Sequence, residues 1–257
     1  MTTWDPRQYE RFKAFRDRPA LDLMVQLPPG LDPKEIWDLG CGPGEHAALL
    51  AKRHPNARVH GLDSSPEMLA VARRRPDPVE WVEGDIDAFA PETPPDLIFT
   101  NAALQWLDDH ATLFPRLVGT LSPGGVFACQ IPVTFNEAWH VQLRETAAEA
   151  PFAAKMVGVR DVRPVAAAGD YYAWLSRLAD LDIWTTTYLH PLEGQDPVVE
   201  WMKGTGLRPY LQRLEPGAET DAFLASYRAK VDRDFPRRAD GITLFPFPRL
   251  FILARRR

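Results

Sequence analysis

Residues 35–45 read Glu35-Ile36-Trp37-Asp38-Leu39-Gly40-Cys41-Gly42-Pro43-Gly44-Glu45, and the amphipathic stretch Glu45–His54 follows. Residues 35–39 read as a strand. The stretch after it predicts a helix with Ala47, Leu50 and Ala51 on one face. Glycines at such a junction let the backbone approach a ligand closely, and the first turn of the helix offers it unpaired N–H groups.

The alternation continues toward the C-terminus. Strands are expected over 57–63, 78–85, 95–102 and 124–132, with helices over 66–75, where Pro66 follows a Ser64-Ser65 cap, and over 110–121. Residues 133–168 read as mostly helical, 170–179 as a helix, 181–189 as a sixth strand and 248–256 as a seventh. The expected fold is α/β: a doubly wound, mostly parallel seven-stranded sheet of Rossmann-like type, with N-terminal helices and a helical insertion before the last strand. One domain is expected over 1–257. Its sheet core would come from 30–132, 170–189 and 248–257, with a helical lid from 1–29 and a helical insertion, 190–247, over the substrate site.

Composition narrows the function classes. With 257 residues, 45% hydrophobic and 25% charged, the chain is of ordinary globular make-up, which excludes intrinsic disorder. A formal net charge of −5 provides no global positive field for a phosphate backbone, so nucleic acid is not an expected partner. No run approaches the roughly 18 apolar residues of a membrane span, and a cytoplasmic location is expected. The two cysteines, Cys41 and Cys129, lie far apart without C-x-x-C spacing or flanking histidines. They read as reduced thiols with no metal. No obligate protein partner is evident.

Two acids fall in phase with the glycine turn. Asp63 ends the second strand, where a carboxylate can accept from both hydroxyls of a ribose. Asp85 ends the third in Glu83-Gly84-Asp85-Ile86, where it can accept from an exocyclic amine while Ile86 covers a base. Either acid alone is as readily a turn former or a helix cap. A nicotinamide dinucleotide is one candidate ligand, but Asp38, Glu45, Asp63 and Asp85 would crowd its pyrophosphate with negative charge, and Glu45 stands at the last position of the dinucleotide fingerprint. That acidity suits a ligand carrying a sulfonium and an ammonium, so S-adenosyl-L-methionine ranks ahead of NAD.

The set Asp38–Gly44, Asp63, Gly84-Asp85-Ile86 and Asn101 resembles the class I S-adenosylmethionine-dependent methyltransferases. Further blocks are similar to one branch of them, the trans-aconitate methyltransferases: Trp4–Tyr9, Asp17–Ala20, Gly61–Met68, Asp96–Leu107, Asp182–Tyr188, Gly206–Leu211 and Phe247–Arg256. The resemblance implies that Asp38, Gly40, Cys41 and Gly42 hold the methionine end of the cofactor. It places Asp63 and Ser64 at the ribose, Asp85, Ile86 and Met68 around the adenine, and Asn101 near the sulfonium. Tyr9 and Arg18 would reach the cofactor carboxylate or close a lid.

For the acceptor, a small polycarboxylate, the resemblance points to Arg208 and Arg249, with Trp106, Tyr188 and His190 as walls or donors. Arginine forks suit carboxylates. A carboxylic acid is already ionised at neutral pH, so no catalytic base is expected. Three other readings stay open: a different small carboxylic acid as acceptor, an NAD-dependent oxidoreductase, and a non-catalytic cofactor-binding module. Methylation of nucleic-acid amines is disfavoured, because Asn101-Ala102-Ala103-Leu104 lacks an N-P-P-Y-like tetrapeptide.

Overall fold

A computed structural model describes residues 13–159 and 161–257. Seven strands form one sheet: β1 (Glu35–Leu39), β2 (Arg58–Asp63), β3 (Val79–Glu83), β4 (Leu97–Asn101), β5 (Val126–Pro132), β6 (Ala179–Leu192) and β7 (Thr243–Arg256). Their order is β3-β2-β1-β4-β5-β7-β6. Pairs β1–β2, β2–β3, β1–β4 and β4–β5 are parallel, and β7 runs antiparallel to β5. The chain winds outward from β1 through β2 and β3, then returns to the other side of β1 as β4. In such sheets ligands bind in the crevice beyond the carboxyl ends of the strands, where the winding reverses.

The central strands explain themselves. Leu97-Ile98-Phe99-Thr100 and Val126–Ile131 are buried throughout, as strands covered on both faces must be, whereas edge strand β3 is only half buried. Helix α2 (Glu45–Arg53) buries Ala47, Ala48, Leu50 and Ala51, the face expected from its period. Helix α3 (Pro66–Ala72) opens as its sequence promised: Ser65 Oγ accepts from Met68 N at 3.2 Å, and Pro66 sits in the first turn. Helix α1 (Lys13–Val25) precedes β1, and α4 (His110–Thr120) links β4 to β5.

The chain divides into two compact units. One gathers Val133–Val165 and Thr187–Pro248 with residues 13–17, the other Arg18–Pro132, Ala166–Thr186 and Arg249–Arg257. The first unit has an apolar core of its own. Trp139 and Leu143 of α5 (Ala138–Ala147), Val199 and Trp201 of α7 (Pro197–Lys203), Phe223 and Tyr227 of α9 (Ala218–Asp234), and Phe245 are all buried. Tyr227 donates to the carbonyl of Trp139 at 3.1 Å, which satisfies a buried hydroxyl. The short α8 (Arg208–Leu211) carries the Gly206–Leu211 block, and α6 (Ala168–Leu175) belongs to the second unit.

Several boundaries differ from the sequence reading: the helix expected over 170–179 is Ala168–Leu175, and the larger departures lie on either side of it. Within 133–168 the described residues are helical over Ala138–Ala147 and again from Ala168, with turns after the first. Strand β6 extends to both sides of 181–189. Strand β7 begins at Thr243, inside the stretch read as helical, and includes Pro246 and Pro248. The ladder with β5 closes there: Val133 N donates to Pro248 O at 3.0 Å just past the last register pair, Pro132↔Arg249, and the prolines offer no N–H in return. Of the two helices expected in 1–29, one is present over 13–25 and the rest lies outside the described residues. Among the described residues no helix is long and apolar enough to cross a membrane.

Candidate cofactor and anion site

Beyond β1 the chain turns through Gly40, Gly42 and Gly44 at φ +72°, +54° and +85°, the left-handed region that favours glycine. Two of the three are clamped. A Cβ on Gly40 would lie 2.3 Å from the Cβ of Ala103, and one on Gly44 would lie 2.4 Å from the Trp81 ring. Gly42 is the opposite case, with no heavy atom within 4 Å of that position. The turn is therefore gripped at its ends and open in its middle.

Asp63 is fixed from both sides. Gly42 N donates to its Oδ2 at 2.8 Å and Ser65 N to its Oδ1 at 2.8 Å. A carboxylate accepts about four hydrogen bonds, so each oxygen keeps a lone pair after these two. Gly40 N and Cys41 N both donate to Leu62 O, at 2.8 and 3.0 Å, and Gly84 N donates to Asp63 O at 3.1 Å. Those bonds carry Gly84-Asp85-Ile86 alongside the turn. Ile86 is buried, and its Cδ1 lies 3.8 Å from the Cβ position of Gly40. Asp85 is exposed and caps the short turn Ile86–Ala88 by accepting from Asp87 N at 3.0 Å. Ser64 and Met68 are exposed at the start of α3. Burial pushes the Cys41 thiol up, so it is not a nucleophile.

Strand register adds a second feature. Asp38 pairs with Phe99, Asn101 with Gln130, and Pro132 with Arg249. Side chains two apart on a strand share a face, so Asp38, Asn101, Gln130 and Arg249 form one row on one face of the sheet. Asp38 is buried, which pushes its carboxyl up to about 8 against the lowering effect of the Ala47 N–H, and the charge of Asp63 raises it further. Its Oδ2 and the Oδ1 of Asn101 are buried atoms with no hydrogen-bond partner among the described residues. At the other end Arg249 is 3% exposed, and its Nη1 donates to Gln130 Oε1 at 3.0 Å.

The remaining expected residues stand on other elements. Trp106 is exposed at the end of the short turn Leu104–Trp106, and Arg18 is exposed on α1, 3.7 Å from Asp22. Arg208, Tyr188 and His190 belong to the first unit. There Arg208 is exposed at the start of α8, while His190 is buried between Phe15 and Trp201, with ring centroids 4.7 and 5.1 Å away, and Tyr188 stacks on it at 6.2 Å. Tyr9 lies outside the described residues.

Three residues escaped the sequence reading. Trp81 fills the space that side chains at Gly44 and Gly61 would need. Arg116 of α4 donates to the carbonyls of Ile86 and Phe89, both at 2.8 Å, and so pins the turn beside Asp85. Gln130 was the most findable, as a lone amide inside the apolar run Val126–Ile131.

Open backbone at Gly42, the free lone pairs of Asp63 and the buried, unpartnered oxygens of Asp38 and Asn101 fit a ribose joined to an amino acid that carries positive charge. Arg249 fits an anion beside it. A family profile described as a methyltransferase domain matches residues 36–125. The chain is 49% identical to the trans-aconitate 2-methyltransferase of Azoarcus sp. (strain BH72), covering 99% of both chains. It is 47% identical to that of Methylobacterium nodulans, covering 100% of this chain and 99% of the relative. Among solved structures, the YcgJ protein of Bacillus subtilis aligns with a TM-score of 0.60 over 93% of this chain and 99% of its own, at 16% identity, a likeness of fold.

Proposed function

Because the chain belongs to the trans-aconitate 2-methyltransferase family over nearly its whole length, we propose that it methylates one carboxylate of trans-aconitate, with S-adenosyl-L-methionine as donor. The products are a monomethyl ester and S-adenosylhomocysteine. The observation that carries this reading is the row on the sheet face: buried acceptors at Asp38 and Asn101, a buried guanidinium at Arg249. Membership of this family sets aside the dinucleotide alternative.

Bound S-adenosyl-L-methionine supplies an electrophilic methyl group on a sulfonium. The backbone of Gly40, Cys41 and Gly42 would hold its amino-acid end with Asp38, while Asp63 and Ser64 take the ribose. Asp85, Ile86 and Met68 would flank the adenine, and Asn101 would face the sulfonium. Arg18 would serve the cofactor carboxylate.

Arg249 would fix the acceptor, with Trp106 beside the site. A substrate carboxylate is already ionised at neutral pH, so no side chain has to take a proton. What these residues contribute is alignment of two partners and exclusion of water, effects worth up to about 7–11 kcal/mol in well-oriented reactions. With its two cysteines free and buried, the protein fits a reducing compartment, and we place the reaction in the cytoplasm.

A labelled-methyl assay with trans-aconitate, cis-aconitate, citrate and isocitrate tests the assignment. Trans-aconitate should be the preferred acceptor by at least ~10-fold in kcat/KM, a difference of about 1.4 kcal/mol. Equal transfer to citrate, or transfer to none of the four, overturns it.

Asp38 adds a proton-linkage prediction. With its carboxyl at about 8, Asp38 is mostly protonated at pH 7. An ammonium placed against it favours the charged form, so binding expels a proton. Calorimetry of S-adenosylhomocysteine binding at pH 7, in buffers of different ionisation enthalpy, should show release approaching one proton. The release should fade above about pH 9 and vanish in Asp38→Asn. In the ligand-free protein the raised value means that the folded state holds more protons than the unfolded one between about pH 4 and 8. Stability therefore falls as pH rises through that window. Binding without proton exchange at pH 7 would contradict the placement of Asp38.

A further inference from the structure

We propose that Gln130 is a specificity residue for the acceptor: its amide nitrogen donates to the carboxylate that Arg249 holds, while its amide oxygen sets the orientation of the guanidinium. The inference rests on the assignment of Arg249 to the acceptor, and goes beyond it by naming the second half of the anion-binding pair.

Three observations carry it. Gln130 is fully buried on β5 beyond Ala128 and Cys129, positions where the strand is otherwise apolar. Register sets it beside Asn101 on one flank and, by strand alternation, on the same face as Arg249 on the other. Its two polar atoms are treated unequally. Oε1 accepts from Arg249 Nη1 at 3.0 Å, whereas Nε2 is buried and has no hydrogen-bond partner among the described residues.

The Arg249 contact also settles which atom is oxygen, because a guanidinium can only donate. A buried NH2 without an acceptor is costly, and buried polar groups in folded proteins are nearly always satisfied. Asn101 and Asp38, further along the row, would both compete for a cation. The acceptor that Nε2 lacks is therefore best supplied by an anion, and Arg249 draws an anion to that spot.

A purely structural role predicts something different. If Gln130 served only to hold Arg249, glutamate would do so at least as well, because it keeps an oxygen to accept from Nη1. If Nε2 binds substrate, glutamate replaces a donor with a negative charge. The test compares Gln130→Glu, Gln130→Met and Arg249→Met for KM and kcat with trans-aconitate across pH 6–9, for S-adenosylhomocysteine affinity and for thermal melting.

The expected result is a KM for Gln130→Glu raised ~30–100-fold at pH 8, the scale of a hydrogen bond to a charged group. The KM effect should exceed the kcat effect, and KM should recover as the pH is lowered and the new carboxyl regains a proton to donate. Gln130→Met should raise KM to a similar degree without the pH recovery, and it keeps the test valid if the buried glutamate impairs folding.

Wild-type KM in both Gln130 variants, alongside a raised KM in Arg249→Met, overturns the role of Gln130 and leaves Arg249 as the anchor. Wild-type KM in Arg249→Met as well, with cofactor affinity intact, overturns both assignments.

Discussion

Arg249→Met raises the KM for trans-aconitate by roughly 100-fold or more, the counterpart of about 3 kcal/mol, while S-adenosylhomocysteine affinity stays within about twofold. The size follows from burial. Arg249 is 3% exposed, and a charged pair sealed from water gains more from its mutual attraction than one at the surface, where the usual value is at most about 1 kcal/mol. Methionine keeps the length and apolar stem of the side chain, and a melting curve beside the kinetics shows that the fold survives. Steady-state kinetics with the tricarboxylate set against calorimetry with S-adenosylhomocysteine separates the two halves of the site. An unchanged KM would mean that the acceptor binds elsewhere.

Asp63→Ala weakens S-adenosylhomocysteine binding by about 100-fold or more, since two hydrogen bonds from hydroxyls to a charged acceptor are worth about 1.5–3 kcal/mol each. A second loss compounds the first. Gly42 N and Ser65 N each lose their acceptor, which frees the middle of the turn at the one place where it is open. Asp63→Asn isolates the ribose contribution, because the amide can still accept from one of these N–H groups. Its binding should fall by about 10-fold or more. Calorimetry on both variants, with melting curves to show that the sheet persists, checks the expectation. A Kd within threefold of wild type for Asp63→Ala would remove the carboxylate from the binding site.

Local features of the site were legible in the sequence, and those that depend on register were not. The turn after strand 35–39 can be read because a left-handed backbone favours glycine, and the strand because it sits at the head of an alternation of short strands and amphipathic helices. Pro66 behind Ser65 is legible for the same reason. Gln130 is different. It gains meaning only when β4 and β7 lie on either side of β5, which brings together residues more than a hundred positions apart in the chain.

The glycine at 61 was legible as part of a motif, but its cause was not. A Cβ there would lie 2.6 Å from the Trp81 ring, a constraint imposed by a residue on the next strand. Asp38 could be recognised as an acid near the turn, yet its protonated state depends on how deeply the finished fold buries it. The missed part of β7 carries Pro246 and Pro248, a breaking signal in the sequence that the strand tolerates past the end of its register with β5.

The row from Asp38 to Arg249 also bears on how turnover ends. Before transfer the crevice would contain a cationic donor against the acid end and a trianion against the basic end. Afterwards the sulfur is a neutral thioether and one carboxylate has become an ester. Asn101 then faces a sulfur without its charge and Arg249 an acceptor with one negative charge fewer, while the ammonium beside Asp38 persists, so transfer itself loosens the hold on both products.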